Sequence, residues 1–300
     1  MAQISIVHTT EYTYRNPVGL LRHKLMVRPD ESHDLRLHGA TLKVEPEPTG
    51  VYWKHDVFNN SICYLEWPGT LTTRRLSIVS TLDMTHHPDG QPLPVYSLDE
   101  AAELFPFSYG AHEIPDLARL AERQLPDPDR KVDAWARRVV SEANSKQTLK
   151  VLEAMTHAIK QQFRYNARYE EGTQTAAETL ALGSGTCRDF AVLMMEALRS
   201  FGFATRFVTG YLYDDASGTT RGGGSTHAWC SVYLPGAGWV EYDPTNGLIA
   251  GANLVRVGVT REAGQALPIS GGFIGNAEDP TGLHVDVSVR AVPIPCSKES

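Results

Sequence analysis

The sequence predicts an α+β protein in which an antiparallel β-sandwich leads and a cysteine-bearing helix packed on an antiparallel sheet follows. Three observations support it. The first eighty or so residues break into short alternating runs separated by Pro, Gly and Asp. From Asp129 to Phe201 apolar residues recur at helical spacing. From Ala204 to Asp243 the pattern turns strand-like again and closes in a hairpin.

In order, Ile4-Ser5-Ile6-Val7-His8 alternates, and Glu11-Tyr12-Thr13-Tyr14 continues the β-rich composition. Leu25 to Arg28, Ala40 to Val44, Val51 to Trp53, Ser61 to Leu65 and Arg75 to Val79 complete the strands, with Asn59-Asn60 as a turn. His86-His87-Pro88-Asp89-Gly90-Gln91-Pro92-Leu93-Pro94 is rich in turn formers and reads as a linker, its histidine pair exposed. Asp129 to Ala143 then presents Val132, Trp135, Ala136, Val139 and Val140 on one stripe. Thr148 to Phe163 does the same with Leu149, Leu152, Met155, Ile159 and Phe163. Thr175-Ala176-Ala177-Glu178 fits a capping box opening a short helix through Leu182. These stripes read as core.

Gly183-Ser184-Gly185-Thr186-Cys187 reads as a tight turn into a buried helix whose apolar residues run from Phe190 to Phe201, with Gly202 where a C-terminus favours positive φ. Ala204 to Tyr213, His227 to Leu234 and Trp239 to Asp243 are strand-like. Leu283 to Val289 alternates and is expected to return to a sheet, with a frayed end through Pro293 and Pro295.

Of 300 residues, 42% are hydrophobic and 21% charged, enough for a sizeable core. The net charge of −7 offers no basic field to recruit nucleic acid or an anionic membrane, so neither is expected as a partner. No signal peptide is visible and no run of about 18 apolar residues suggests a membrane span. Cys63, Cys187, Cys230 and Cys296 lie far apart without CxxC spacing, which argues against a disulfide framework or a zinc ribbon. The expectation is a reduced, cytoplasmic protein with no metal and no cofactor.

Cys187 stands where a cysteine nucleophile is best placed. A thiolate is favoured by the unpaired N–H groups and dipole of a helix N-terminus, and the Cys187 backbone N–H can donate to an oxyanion. Glycines at 183 and 185 would let a substrate backbone approach. A lone cysteine beginning a helix is nevertheless most often a packing residue, just as a strand histidine is usually structural and Asp243 before Pro244 could simply begin a turn.

Geometry decides whether His227 and Asp243 meet. Opposed residues of an antiparallel hairpin have a constant number sum and alternate in face. With Pro235 to Ala237 as an odd-length loop, Leu234 pairs with Gly238, Asp243 sits opposite Trp229, and His227 is its diagonal neighbour roughly 7–8 Å away. A strict four-residue loop would place them on opposite faces. In the first arrangement His227 would deprotonate the thiol and protonate a leaving amine, and Asp243 would fix the imidazole tautomer. Gly222-Gly223-Gly224 reads as a loop that could admit substrate, and Trp229 and Tyr242 could line the site, although aromatic strand residues are usually core.

The segments Gly185-Thr186-Cys187-Arg188-Asp189-Phe190-Ala191, Thr226-His227-Ala228-Trp229 and Trp239-Val240-Glu241-Tyr242-Asp243-Pro244-Thr245 resemble, in order and spacing, the transglutaminase-like superfamily, specifically bacterial members described as candidate cysteine proteases. The resemblance covers most of residues 150 to 250. More loosely, Arg22-His23-Lys24-Leu25 and Asp56-Val57-Phe58-Asn59-Asn60 look like landmarks of the bacterial transglutaminase-like N-terminal domain. It implies a papain-like core, with Cys187, His227 and Asp243 as the catalytic triad; Arg188 and Asp189 look like family residues, and an intrahelical or capping role, not catalysis, is expected of them. The domains it suggests are an N-terminal β-sandwich at 1–85, a linker at 86–115 and a transglutaminase-like catalytic domain at 116–300.

The expected activity is cysteine-dependent acyl transfer at an amide bond of a peptide or protein, through a thioester acyl-enzyme. Resolution by water gives a peptidase or amidase, the favoured hydrolase reading; resolution by an amine gives glutamine–lysine transamidation. A non-catalytic peptide-binding module on the same fold is a third reading, against which stand three intact triad residues. A metal-dependent hydrolase is weaker, since no HExxH or paired-cysteine spacing occurs.

Overall fold

Alternation in the first eighty residues is realised as six strands, β1 (Ala2–Leu20), β2 (His23–Leu25), β3 (Leu35–Glu45), β4 (Gly50–His55), β5 (Ser61–Glu66) and β6 (Thr73–His86). The computed structural model describes residues 2–87, 97–167, 172–213, 226–249 and 253–293. Next come α1 (Ile114–Ala121), α2 (Lys131–Glu142), α3 (Thr148–Gln162), β7 (Arg164–Tyr165), α4 (Ala176–Leu182), β8 (Ser184–Gly185) and α5 (Cys187–Arg199). The chain then forms β9 (Thr205–Leu212), β10 (Thr226–Leu234), β11 (Gly238–Asp243), β12 (Leu248–Ile249) and β13 (Leu254–Thr260), and ends with β14 (Ile269–Ser270), β15 (Phe273–Ile274) and β16 (Pro280–Pro293).

Two antiparallel sheets make the N-terminal unit. One has the order β15-β1-β6-β3 with β16 also on β1; the other is β14-β2-β5-β4. Tyr14, Val18, Leu20, Leu25, Val27, Cys63, Leu65, Trp67, Leu76 and Ile78 form the buried core of this unit. The second unit is the antiparallel sheet β12-β11-β10-β9-β13, on which α5 packs. Helix α5 is buried on nearly every side, as expected of a helix whose apolar residues are not confined to one stripe.

A single hydrophobic cluster joins the units. Ile4, Ile6, Ile62, Leu82 and Met84 of the N-terminal strands belong to the same buried core as Phe190, Leu193 and Phe207. Each fully buried aliphatic side chain contributes about 1.5–3 kcal/mol, so this junction is a packed interface and not a tether. Buried His8 adds a polar contact, its Nδ1 lying 3.0 Å from the Tyr211 hydroxyl. Burial pulls the His8 imidazole down to about 4, which keeps it neutral.

Three boundaries differ from the sequence expectation. Residues 269–293, placed at sequence level in the second domain, lie in the sheets of the first: β14 pairs with β2, and β15 and β16 pair with β1. The return of Leu283–Val289 to a sheet was legible from alternation; which sheet was not. His86 is the last residue of β6 and is buried, paired with Ala2 on one side and Leu35 on the other, where an exposed linker was expected. The inward alternation Leu82, Met84, His86 outruns the turn formers that begin at Pro88. Within the expected linker, α1 begins at Ile114 with Pro115 in its first turn. The rest of the turn-rich run, residues 88–94, lies outside the described residues.

Candidate active site

Cys187 is the first residue of α5, and the turn before it is held by its own sequence. Thr186 is the N-cap: its hydroxyl accepts from the Asp189 amide, and its backbone N–H donates to Asp189 Oδ2 at 2.8 Å. The fully buried Asp189 also accepts from the Gln174 amide at 2.7 Å, which ties the approach to α4 to the start of α5. This is the capping box that fixes the helix start. Arg188 turns away and donates to the carbonyls of Ala263 and Ala266 over the Phe207 ring. Asp189 thus has the capping role expected of it, whereas Arg188, expected in an intrahelical or capping role, instead ties the start of α5 to the Ala263–Ala266 segment. Gly185, expected to admit a substrate backbone, instead serves internal packing: a Cβ there would lie 2.8 Å from Asp189 Cβ.

The hairpin takes the register that makes the pair possible. Leu234 pairs with Gly238 and Cys230 with Tyr242, so His227 and Asp243 share a face. Their side chains meet in a buried contact, His227 Nε2 to Asp243 Oδ2 at 2.8 Å. Asp243 Oδ1 accepts from the amides of Thr245 and Asn246, and Oδ2 also accepts from Asn246 Nδ2 at 2.8 Å. The turn-forming role and the histidine-pairing role therefore coincide in one carboxylate. Asn246 is a site residue that the sequence reading did not single out; its signal was an Asp followed three residues later by an amide, an Asx-turn pattern.

Burial by itself would lower the His227 pKa, but the Asp243 carboxylate and then the Cys187 thiol outweigh it and raise it. Burial would raise Asp243, but His227, Asn246 and the Thr245 amide hold it below the usual carboxylate range. Nδ1 of His227 is buried without a hydrogen-bond partner among the described residues. With Nε2 committed to Asp243, it is the nitrogen left to serve the thiol.

These directions set a pH window. Asp243 contributes stability that is present above its unfolded value of 3.8 and lost as pH falls through the lower folded value. His227 contributes stability that is present below 6.5 and lost as pH rises through the higher folded value. In urea titrations the stability advantage of the native chain over a His227→Gln variant should therefore shrink as pH is raised from about 6 to about 9. An advantage that stays constant over that range would show that the imidazole is not held protonated.

Trp229, two residues along β10 from His227, is fully buried and stacks on its ring, with centroids 5.9 Å apart and planes at 28°. Gly210 makes room for it. That residue pairs with His227 across β9 and β10, and a Cβ there would come within 2.7 Å of the indole and 2.0 Å of the Val255 carbonyl oxygen. Tyr242 is buried in the main core.

Cys63 and Cys230 are free, buried thiols. Burial pushes Cys63 up to about 11 and Cys230 higher still, so neither competes as a nucleophile near neutral pH. Cys296 and Gly222-Gly223-Gly224 lie outside the described residues. Among the described residues, no group of three His, Cys, Asp or Glu side chains could hold a metal ion, and no helix is long and apolar enough to cross a membrane.

Comparison with known proteins gives the family context. Residues 133–244 match the transglutaminase-like superfamily and residues 4–85 match the bacterial transglutaminase-like N-terminal region. An uncharacterized protein of Mycobacterium tuberculosis is 27% identical over 296 residues, covering 96% of this chain and 92% of its own length. An uncharacterized Mycobacterium leprae protein is 36% identical over 107 residues, 35% of this chain and 37% of that protein. Among solved structures, a candidate cysteine protease from Cytophaga hutchinsonii superposes with a TM-score of 0.69 at 18% identity, over 99% of this chain and 93% of that one. That likeness establishes the shared fold.

Proposed function

With a transglutaminase-like core at residues 133–244 behind a bacterial transglutaminase-like N-terminal region at residues 4–85, we propose that the protein is a cysteine-dependent acyl transferase that hydrolyses peptide or isopeptide amides. The observation that carries this reading is the buried contact of His227 Nε2 with Asp243 at 2.8 Å, which leaves Nδ1 for a cysteine at the first position of a helix.

Each residue then has a role. Nδ1 of His227 holds the proton given up by Cys187, so that the pair rests as thiolate and imidazolium, and the thiolate attacks the amide carbonyl carbon, forming a C–S bond. The developing oxyanion is met by the Cys187 backbone N–H, an amide without a partner inside the helix. His227 returns the proton to the nitrogen as the C–N bond breaks, leaving a thioester and a free amine. Water then attacks the thioester, His227 accepts its proton, and the C–S bond breaks to give the acid and the thiolate. Asp243 keeps the imidazole oriented and stabilises its cationic form throughout.

Transamidation shares the first half of this sequence and differs only in the acceptor. Hydrolysis is favoured because water needs no second binding element, and because the Cytophaga hutchinsonii protein of the same fold is described as a candidate protease. Incubating the protein with a peptide library, with and without a primary amine, separates the outcomes by product mass. Cleaved acids in both samples support hydrolysis, amine adducts support transamidation, and no Cys187-dependent product in either sample contradicts the enzyme reading.

A further inference from the structure

The turn between β4 and β5 is built with more order than a connection needs. Asp56 Oδ1 accepts from the amides of Phe58 and Asn60, and its Oδ2 accepts from Asn60 Nδ2, each at 2.9 Å. Asn59 adopts φ of 64° to close it, a left-handed conformation that asparagine tolerates better than most residues. Asn60 then reaches into the other unit. Its Nδ2 donates to the Val259 carbonyl at 2.7 Å, and its Oδ1 accepts from the Val259 N–H at 2.8 Å. One side chain thus satisfies both backbone groups of one β13 residue and fixes that strand in position and angle.

The neighbouring glycine makes room for Met26. A Cβ at Gly258 would lie 2.3 Å from Met26 Sδ, and the β13–β9 register shifts between Arg256 and Gly258. With the turn so anchored, Phe58 packs against the buried cluster of Val208, Leu212, Trp229, Leu254 and Val259. Trp229 is the member of that cluster that stacks on His227. The hydrogen bond to Asp243 fixes one atom of the imidazole; the indole, its plane 28° from that of the imidazole, restricts the tilt of the ring.

We propose that the Asp56–Asn60 turn of the N-terminal unit positions the candidate catalytic histidine. In this arrangement Phe58 and Asn60 press the Val208–Trp229–Leu254–Val259 cluster against β10, and Trp229 holds the His227 ring where Nε2 meets Asp243 and Nδ1 is left for Cys187. The N-terminal unit is then part of the catalytic apparatus, and Phe58 and Asn60 are positioning residues that touch no substrate. The inference rests on the reading of His227 as the base.

The test uses the full chain and iodoacetamide, and needs no known substrate. The rate of Cys187 alkylation is measured at pH 6, where an unassisted thiol is almost wholly protonated, and at pH 9, where it is largely ionised. Phe58→Ala should lower the pH 6 rate on the order of 10-fold or more while leaving the pH 9 rate near the native value. Phe58→Leu, which restores most of the volume, should recover the pH 6 rate. Imidazole resonances of His227, identified by their loss in His227→Ala, should shift in Phe58→Ala and return in Phe58→Leu. If Phe58→Ala does not fold, Phe58→Val provides the graded truncation. An unchanged pH 6 rate and unchanged His227 resonances in a variant that melts at lower temperature would reduce Phe58 to packing and overturn the proposal. If the native chain itself shows no selective alkylation of Cys187 at pH 6, the acyl-transfer reading fails first, a separate result seen without any Phe58 variant.

Discussion

Glu196→Ala is expected to destabilise the protein by about 3–5 kcal/mol, the largest loss foreseen for a single change outside the hydrophobic core. Glu196 and Arg199 form an ion pair at 2.9 Å, with both side chains 2% exposed. Glu196 also accepts from the amides of Gln124 and Leu125, and Arg199 donates to the carbonyls of Leu120, Thr205 and Arg261. Removing the carboxylate leaves the buried guanidinium without its counter-charge and frees two half-buried amides. Since α5 carries Cys187 at its other end, these contacts also anchor the helix that presents the thiol. A melting-temperature drop of roughly 10 °C should be seen by circular dichroism. A change below about 1 kcal/mol would mean that the pair behaves like an exposed salt bridge.

Asp243→Asn should lower the rate of acylation at Cys187 by about 10²–10⁴-fold. The asparagine keeps the shape but loses the charge that stabilises the imidazolium. If its amide nitrogen faces His227, it donates where the carboxylate accepted, and the tautomer at Nδ1 becomes the wrong one. Single-turnover modification of Cys187, monitored by intact mass, measures the effect, with the circular dichroism spectrum as a check on folding. A rate within a factor of a few of the native one would make Asp243 a turn residue only, held by its bonds to Thr245 and Asn246.

Much of this site can be read from local rules. The hairpin sum that pairs Leu234 with Gly238 follows from an odd-length loop, and the structure has that register. The capping box at Thr175 and the positive φ at Gly202 are found where residue type alone places them. What could not be read depends on contacts between residues distant in sequence. Alternation in β16 shows a strand, yet nothing local says that it pairs with β1 along nearly its whole length. Glu196 looks like an ordinary helix glutamate until Gln124 and Leu125 arrive from outside the helix. Trp229 and Gly210 are neighbours only through strand pairing, and Phe58 joins them only because the two units share a core. The motif Asp56-Val57-Phe58-Asn59-Asn60 was legible as a landmark, but its grip on Val259 was not, since 199 residues separate the partners.

The most direct test of the account is the pH profile of iodoacetamide alkylation from pH 4 to 9, with every modified cysteine located by peptide mass. A thiol with an ordinary pKa near 8.5 is only about 0.3% ionised at pH 6. Cys187 is expected to be alkylated selectively at that pH, while Cys63 and Cys230, whose thiols burial pushes up, stay unmodified. His227→Ala should lower the pH 6 rate by roughly 100-fold. Reaction at Cys187 no faster than at the other thiols, or a profile indifferent to His227, would contradict the claim that these residues form one catalytic unit.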